Sequence, residues 1–189
     1  VTGKNGQAIN LSGSSQYVSM PSGILSGLAD FTIATWVRLD TTGSWRRLFD
    51  FGTGTSVNMF LVPTSGSTIR FAITTSGAGG EQQITSGSGG EQRIDGGSAL
   101  PTGVWKHVAV TLSGSTGRLY VDGAQVGQNT AMTLRPSSLG NTGNNWLGRS
   151  QYSGDAYLDG QIDDFRIYSR ALSASDVYAL FNPGGTVTP

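Results

Sequence analysis

Short runs of alternating apolar and polar residues, broken by clusters of Gly, Ser, Asn and Thr, fill most of the chain. The clearest run is Phe31-Thr32-Ile33-Ala34-Thr35-Trp36-Val37-Arg38-Leu39. At the two-residue period of a β-strand, Phe31, Ile33, Thr35, Val37 and Leu39 share one face and Trp36 falls on the other. The same signal predicts strands over residues 7–11, 16–20, 47–51, 57–62, 69–74, 104–112, 117–121, 146–148 and 155–168. Asp122-Gly123 after the 117–121 strand is a tight-turn pair, because both residues tolerate the positive φ such a turn demands. About a dozen short strands with turn connections imply an all-β fold, a two-sheet antiparallel β-sandwich.

Two places break the alternation. In Leu158-Asp159-Gly160-Gln161-Ile162-Asp163-Asp164-Phe165-Arg166-Ile167-Tyr168, the apolar Ile162, Phe165 and Ile167 cannot share a face at strict period two, which predicts a β-bulge at Asp163-Asp164. Beyond it, Ser173-Ala174-Ser175-Asp176 fits a capping box, and Val177, Leu180 and Phe181 make the apolar face of one short C-terminal helix stopped by Pro183. A different irregularity is a tandem duplication: residues 75–84 and 85–94 agree at eight of ten positions. A ten-residue unit is too short for a solenoid repeat, so the duplication reads as a lengthened hairpin or loop on the surface.

Composition narrows the classes. The chain has 189 residues, 37% of them hydrophobic and only 13% charged, with 29 glycines, which suits one turn-rich domain. Twelve basic and twelve acidic residues balance. No Lys/Arg run suggests nucleic acid, and no apolar stretch approaches the roughly 20 residues of a membrane span. Cysteine is absent, which removes disulfides and thiolate metal sites. No signal peptide is visible at Val1-Thr2-Gly3-Lys4, and residues 1–182 read as a module excised from a larger secreted protein, with 183–189 as an inter-domain linker.

Catalytic chemistry is poorly supplied. The only glutamates, Glu81 and Glu91, both lie in the duplicated segment, and the carboxylate pair of a glycoside hydrolase is missing from the core strands. The single histidine, His107, lies inside Trp105-Lys106-His107-Val108 with no nucleophile motif nearby, and reads as a packed strand residue. Asp163 and Asp164, with Asn10 from the first strand, could supply oxygen ligands to a structural Ca²⁺ tying the first and last strands together. The same acids could instead cap backbone N–H groups at the bulge. Sugar recognition needs flat aromatics and forked polar groups, and two segments carry that mixture. One holds Trp45, Arg46 and Arg47, after the turn Thr41-Thr42-Gly43-Ser44; the other holds Trp146, Arg149, Gln151, Tyr152 and Tyr157, and of the first Trp45 and Arg46 are the chosen ligand residues. Trp45, flanked by Ser44 and two arginines, reads as exposed; Trp36 and Trp105 read as core; Trp146 and Tyr157 fit either a core or a ligand role.

Several phrases, in order, carry a family resemblance: Gly6-Gln7-Ala8-Ile9, Tyr17-Val18, Phe31-Thr32-Ile33-Ala34-Thr35-Trp36-Val37, Trp105-Lys106-His107-Val108-Ala109, Gly117-Arg118-Leu119-Tyr120-Val121-Asp122-Gly123, Leu147-Gly148-Arg149-Ser150 and Asp159-Gly160-Gln161-Ile162-Asp163-Asp164-Phe165. Together they resemble the laminin-G-like, concanavalin A-like lectin/glucanase jelly-roll domains appended to bacterial glycoside hydrolases. The resemblance implies a jelly-roll sandwich, often with a structural calcium. It implies an extracellular, non-catalytic carbohydrate-binding module beside a catalytic domain acting on arabinose- or galactose-containing plant polysaccharide. The alternative it leaves open is a structural or adhesion domain that packs on the catalytic neighbour and binds no sugar. The chain departs from the pattern at Asn10-Leu11-Ser12-Gly13, where relatives often place an acid before the glycine, and in the duplicated segment.

Overall fold

A computed structural model describes residues 1–77 and 90–183, where the period-two segments become twelve strands in two six-stranded sheets. In chain order these are β1 (Ile9–Ser12), β2 (Val18–Met20), β3 (Phe31–Leu39), β4 (Phe49–Gly54), β5 (Val57–Val62) and β6 (Arg70–Thr74). They continue with β7 (Gln92–Asp95), β8 (Trp105–Ser113), β9 (Thr116–Val121), β10 (Ala124–Asn129), β11 (Asn144–Leu147) and β12 (Asp159–Tyr168). Helix α1 (Ala174–Phe181) follows. Sheet I runs β1-β12-β3-β8-β9-β10 and sheet II runs β2-β11-β4-β5-β6-β7, with antiparallel neighbours throughout.

The core lies between the sheets. Phe31, Ile33, Val37 and Leu39 point into it from β3, and Phe49, Phe51, Met59, Leu61, Phe71 and Ile73 meet them from sheet II. Burying each such side chain is worth about 1.5–3 kcal/mol. Phe49 stacks on Phe51 with ring centroids 5.1 Å apart, and Phe31 meets Phe71 across the sheets at 6.1 Å. At the predicted bulge the register jumps from Asp163↔Trp36 to Arg166↔Ala34, with Asp164 at φ 51°. That extra residue lets Phe165 and Ile167 lean on the same core as Ile162.

Helix α1 starts as the capping box requires: Ser173 Oγ accepts from the Asp176 N–H at 3.1 Å, and Asp176 Oδ2 accepts from the Ser173 N–H at 3.1 Å. Its apolar residues Val177 and Leu180 pack on the outer face of sheet I, where the small Ala34 and Ala109 leave room beside Tyr120. Trp36 is buried as expected, but under this helix rather than between the sheets, with Phe181 and His107 beside it. Trp105, expected in the core, is only half-buried at the start of β8.

Several boundaries move. β4 begins at Phe49, which leaves Arg47 ahead of the strand, and β12 begins at Asp159, which turns residues 148–158 into a loop. β7 and β10 were not indicated by any alternation. β7 is the end of the second duplicated decapeptide, where buried Gln92 accepts the Thr133 and Leu134 N–H groups at 2.8 and 2.9 Å. β6 and β7 are antiparallel neighbours, so residues 75–91 of the duplication connect them. Its residues 78–89, Glu81 among them, lie outside the described residues, as do residues 184–189 of the expected linker.

Candidate functional site on the outer face of sheet II

Cross-strand register places Trp146, Asp50, Phe60, Ala72 and Arg93 in one row across the face of sheet II that points away from the core. Two segments lie over this row. The first carries Trp45, whose side chain packs on Phe60, Val62 and Ala72. Its φ of 67° is unusual for a bulky residue and costs on the order of 1–3 kcal/mol. Two hydrogen bonds hold it there: the Trp45 N–H donates to the Thr64 carbonyl at 3.0 Å, and Arg47 Nη1 donates to the Trp45 carbonyl at 2.9 Å. The second segment leaves β11 at Gly148, with φ 84°, and returns where the Leu158 N–H donates to the Gly148 carbonyl at 3.0 Å.

Arg47 joins the two. Its side chain is buried, with the guanidinium carbon 4.0 Å from the Phe60 ring centroid, 5.8 Å from Trp45 and 5.9 Å from Tyr152. Nε lies 3.1 Å from Asp50 Oδ2 and Nη2 lies 3.3 Å from Asp155 Oδ2. Asp50 Oδ2 also accepts the Gln151 N–H at 3.0 Å, and Asp155 accepts the Ser150 hydroxyl at 2.7 Å. Burial pushes the Asp50 carboxyl up to about 6, although Arg47 and the Gln151 N–H pull the other way. Burial likewise raises the Tyr152 phenol, whose hydroxyl donates to the Thr55 carbonyl at 3.3 Å.

Beyond Tyr152 the loop walls a shallow cleft of about 150 Å³. Trp146, Arg149, Gln151, Tyr152, Asp155 and Tyr157 border it. Tyr17 stands against this wall, with its ring centroid 6.0 Å from Trp146 and 6.3 Å from Tyr157. The Gln151 amide is oriented by Asn144, donating to its carbonyl at 2.8 Å. Five of the seven sequence-selected residues, Trp146, Arg149, Gln151, Tyr152 and Tyr157, therefore line one cleft, and Trp45 joins it through Arg47. Trp146 and Tyr157 are partly exposed on this outer face and lie outside the inter-sheet core; Trp45, expected exposed, is half-buried. Arg46 points elsewhere: Nη1 donates to Thr41 Oγ1 at 2.9 Å and lies 3.8 Å from Asp159 Oδ2.

Sequence reasoning missed Tyr17 and Asp50, and named Arg47 only as a member of the first cluster. An acid between two phenylalanines, Phe49-Asp50-Phe51, was the available signal for Asp50, since alternation sends it to the face opposite the core. Nothing local marks Tyr17, whose neighbours in the cleft come from the far end of the chain. His107 is buried under α1 on sheet I with its Nδ1 unpartnered, away from the cleft, and desolvation pushes its imidazole down to about 4.

A family model described as the concanavalin A-like lectin/glucanases superfamily matches residues 12–178. The chain belongs to this superfamily. A search of curated proteins finds no match. Among solved structures, superfamily-like folds include domain 4 of AbnA, a GH43 extracellular arabinanase from Geobacillus stearothermophilus, in complex with arabinotriose. It aligns with TM-score 0.76 and 22% identity over 96% of this chain and 80% of that one. The Ruminococcus gnavus IT-sialidase CBM40 bound to alpha2,3 sialyllactose aligns with TM-score 0.67 and 14% identity, covering 89% of this chain and 97% of that one. A SAP-like pentraxin from Limulus polyphemus gives TM-score 0.65 and 14% identity over 95% of this chain and 83% of that one. At these identities the likeness is one of fold.

The sequence offered Asp163, Asp164 and Asn10 as ligands of a structural calcium, and both carboxylates there have protein partners. Asp163 Oδ2 accepts the Asn5 N–H at 2.7 Å, capping the N-terminal turn. Asp164 Oδ1 accepts Arg166 Nε at 2.7 Å, so a guanidinium already neutralises that carboxylate. Asn10 is exposed on the edge strand opposite Gln161. Among the described residues no three acidic or histidine side chains gather as a metal site. Asp163 thus caps a backbone N–H, and Asp164 bonds side chains.

Proposed function

We propose that the chain is a non-catalytic carbohydrate-binding module of a secreted bacterial polysaccharide-degrading enzyme. It takes arabinose- or galactose-containing plant chains in the cleft on the outer face of sheet II, and raises the effective concentration of its catalytic partner at the substrate. The observation that carries this is the assembly, from three separate chain segments, of aromatic walls and oriented polar groups around one shallow cleft. Tyr152, Tyr157 and Trp45 supply flat apolar surface for a sugar ring, and Gln151 and Asp155 supply polar atoms for hydroxyls. A strained Trp45 held by Arg47 supports the same reading, since strained backbone concentrates at ligand sites. The likeness in fold to an arabinanase domain carrying arabinotriose supports the choice of sugar.

The arrangement of acids favours binding over hydrolysis. A glycosidase needs two carboxyl groups free to reach the scissile bond. Here Asp50 is fully buried and shares Arg47 with Asp155, and Asp95 pairs with Arg70. Calorimetry and affinity gels against arabinan, arabinoxylan, galactan and glucans test the proposal. Binding to one of the first three is expected, weakened about fivefold or more by Tyr152→Ala or Trp45→Ala, since stacking of a ring on an aromatic is worth about 1–3 kcal/mol. Absence of binding to every polysaccharide would remove it.

A further inference from the structure

Among the described residues, one guanidinium in the cleft is held by aromatic rings alone. Arg149 follows Gly148 at the start of the loop, half-buried, with its guanidinium carbon 4.2 Å from the Trp146 ring centroid and 4.7 Å from that of Tyr17. Among the described residues it makes no hydrogen bond and no ion pair. None of its nitrogens is both buried and unpartnered, so its N–H groups open to solvent in the cleft. The other guanidinium groups on this face are matched: Arg47 by Asp50 and Asp155, Arg70 and Arg93 by Asp95. Asp155, the one acid bordering the cleft, has its Oδ2 committed to Arg47 and Ser150.

This geometry changes what the wall offers. A guanidinium lying over the Trp146 ring does not leave that face to a sugar. It presents instead a planar fork whose orientation two aromatic rings hold, so little freedom is lost when its N–H groups bond a ligand. A fork of this kind matches a carboxylate in bidentate fashion, and the charge on the acceptor makes those bonds about twice as strong as bonds to a pair of neutral hydroxyls.

We infer that Arg149 is a carboxylate clamp, and that the saccharide taken by this cleft carries a uronic acid unit beside the neutral sugar that stacks on Tyr152 and Tyr157. The inference rests on the saccharide-binding reading of the cleft and names the chemical class of its ligand. The acid group would replace solvent on the fork. Asp50 and Asp155 both bond Arg47 and not this fork.

The test is calorimetry on the wild-type protein with oligosaccharides bearing galacturonate, glucuronate or 4-O-methylglucuronate, each paired with its methyl ester, alongside neutral arabino- and galacto-oligosaccharides. At least one acid is expected to bind tenfold or more tightly than its ester, as a charge-assisted bond of about 1.5–3 kcal/mol requires. That ratio is expected to shrink with added salt and to fall to one in Arg149→Gln, whose folding is checked by its urea midpoint. Equal affinity for acid and ester in wild type overturns the inference. So does binding of neutral oligosaccharides with no uronide bound in either form, and in both cases the saccharide reading stands. No binding by any member of the panel removes that reading as well.

Discussion

Asp50 and His107 lie on the outer faces of opposite sheets, each buried and each held toward its neutral form chiefly by desolvation. Their effects on stability have opposite sign. The Asp50 carboxyl rises from an ordinary 3.8 to about 6, so in that interval the folded protein holds a proton that the unfolded chain has lost. Its contribution is greatest below the unfolded value and declines as pH rises to about 6. The His107 imidazole falls from 6.5 to about 4, so in that range the unfolded chain binds the extra proton, and stability is lost as pH falls. Between pH 4 and 6 the two oppose each other. Urea midpoints across pH 4–7 are expected to show this in difference profiles from wild type. Asp50→Asn should leave a protein that weakens more steeply on acidification, and His107→Gln one that weakens less. Parallel profiles would mean that neither group titrates as its burial demands. Both residues were readable only as types in a pattern. Alternation sent Asp50 outward, but its burial comes from Arg47, Gln151 and the loop above it, which no local rule brings together.

Among the elements, β3 and α1 were the most legible because their signals are local. Strict alternation defines the first, and the Ser173/Asp176 box with its apolar face defines the second. The bulge in β12 was legible for a related reason, since three apolar residues could meet one core only if the pleat slipped. β7 and β10 were not, because Gln92-Arg93-Ile94-Asp95 and Ala124-Gln125-Val126-Gly127-Gln128-Asn129 have no alternating apolar face. Residues 155–158 looked like the start of the last strand, yet the Asp155 N–H donates to the Tyr152 carbonyl at 3.1 Å and closes a loop instead. The bulge also sets a prediction. Asp163→Ala should cost about 1–3 kcal/mol by leaving the Asn5 N–H unpaired, measured by urea unfolding. EDTA tests the calcium expectation: an unchanged wild-type melting temperature would remove it. A fall on chelation, reversed by Ca²⁺, would show that a cation bound to the native state adds stability and would support the metal reading.

At the scale of the molecule, the two sheets present different outer faces. Sheet I is covered by α1, while sheet II carries the cleft, Arg47 and Trp45. Hydrogen exchange with a bound saccharide should therefore gain protection in residues 45–52 and 144–157 and leave α1 unaffected; protection confined to α1 would place the ligand on the wrong sheet. The division between sequence and structure follows from the range of the interactions. The sequence by itself determined the all-β class, the main strands, the bulge, the capped helix and most of the aromatic and polar side chains of the cleft, because alternation, turn chemistry and capping act over a few residues. Long-range packing set the rest: Trp45 meets Tyr152 through buried Arg47, Arg46 turns away, Tyr17 braces Arg149, and Asp163 caps the Asn5 N–H. Those outcomes depend on which distant strands become neighbours and on which charges burial forces into pairs, and both are fixed only when the two sheets close on their common core.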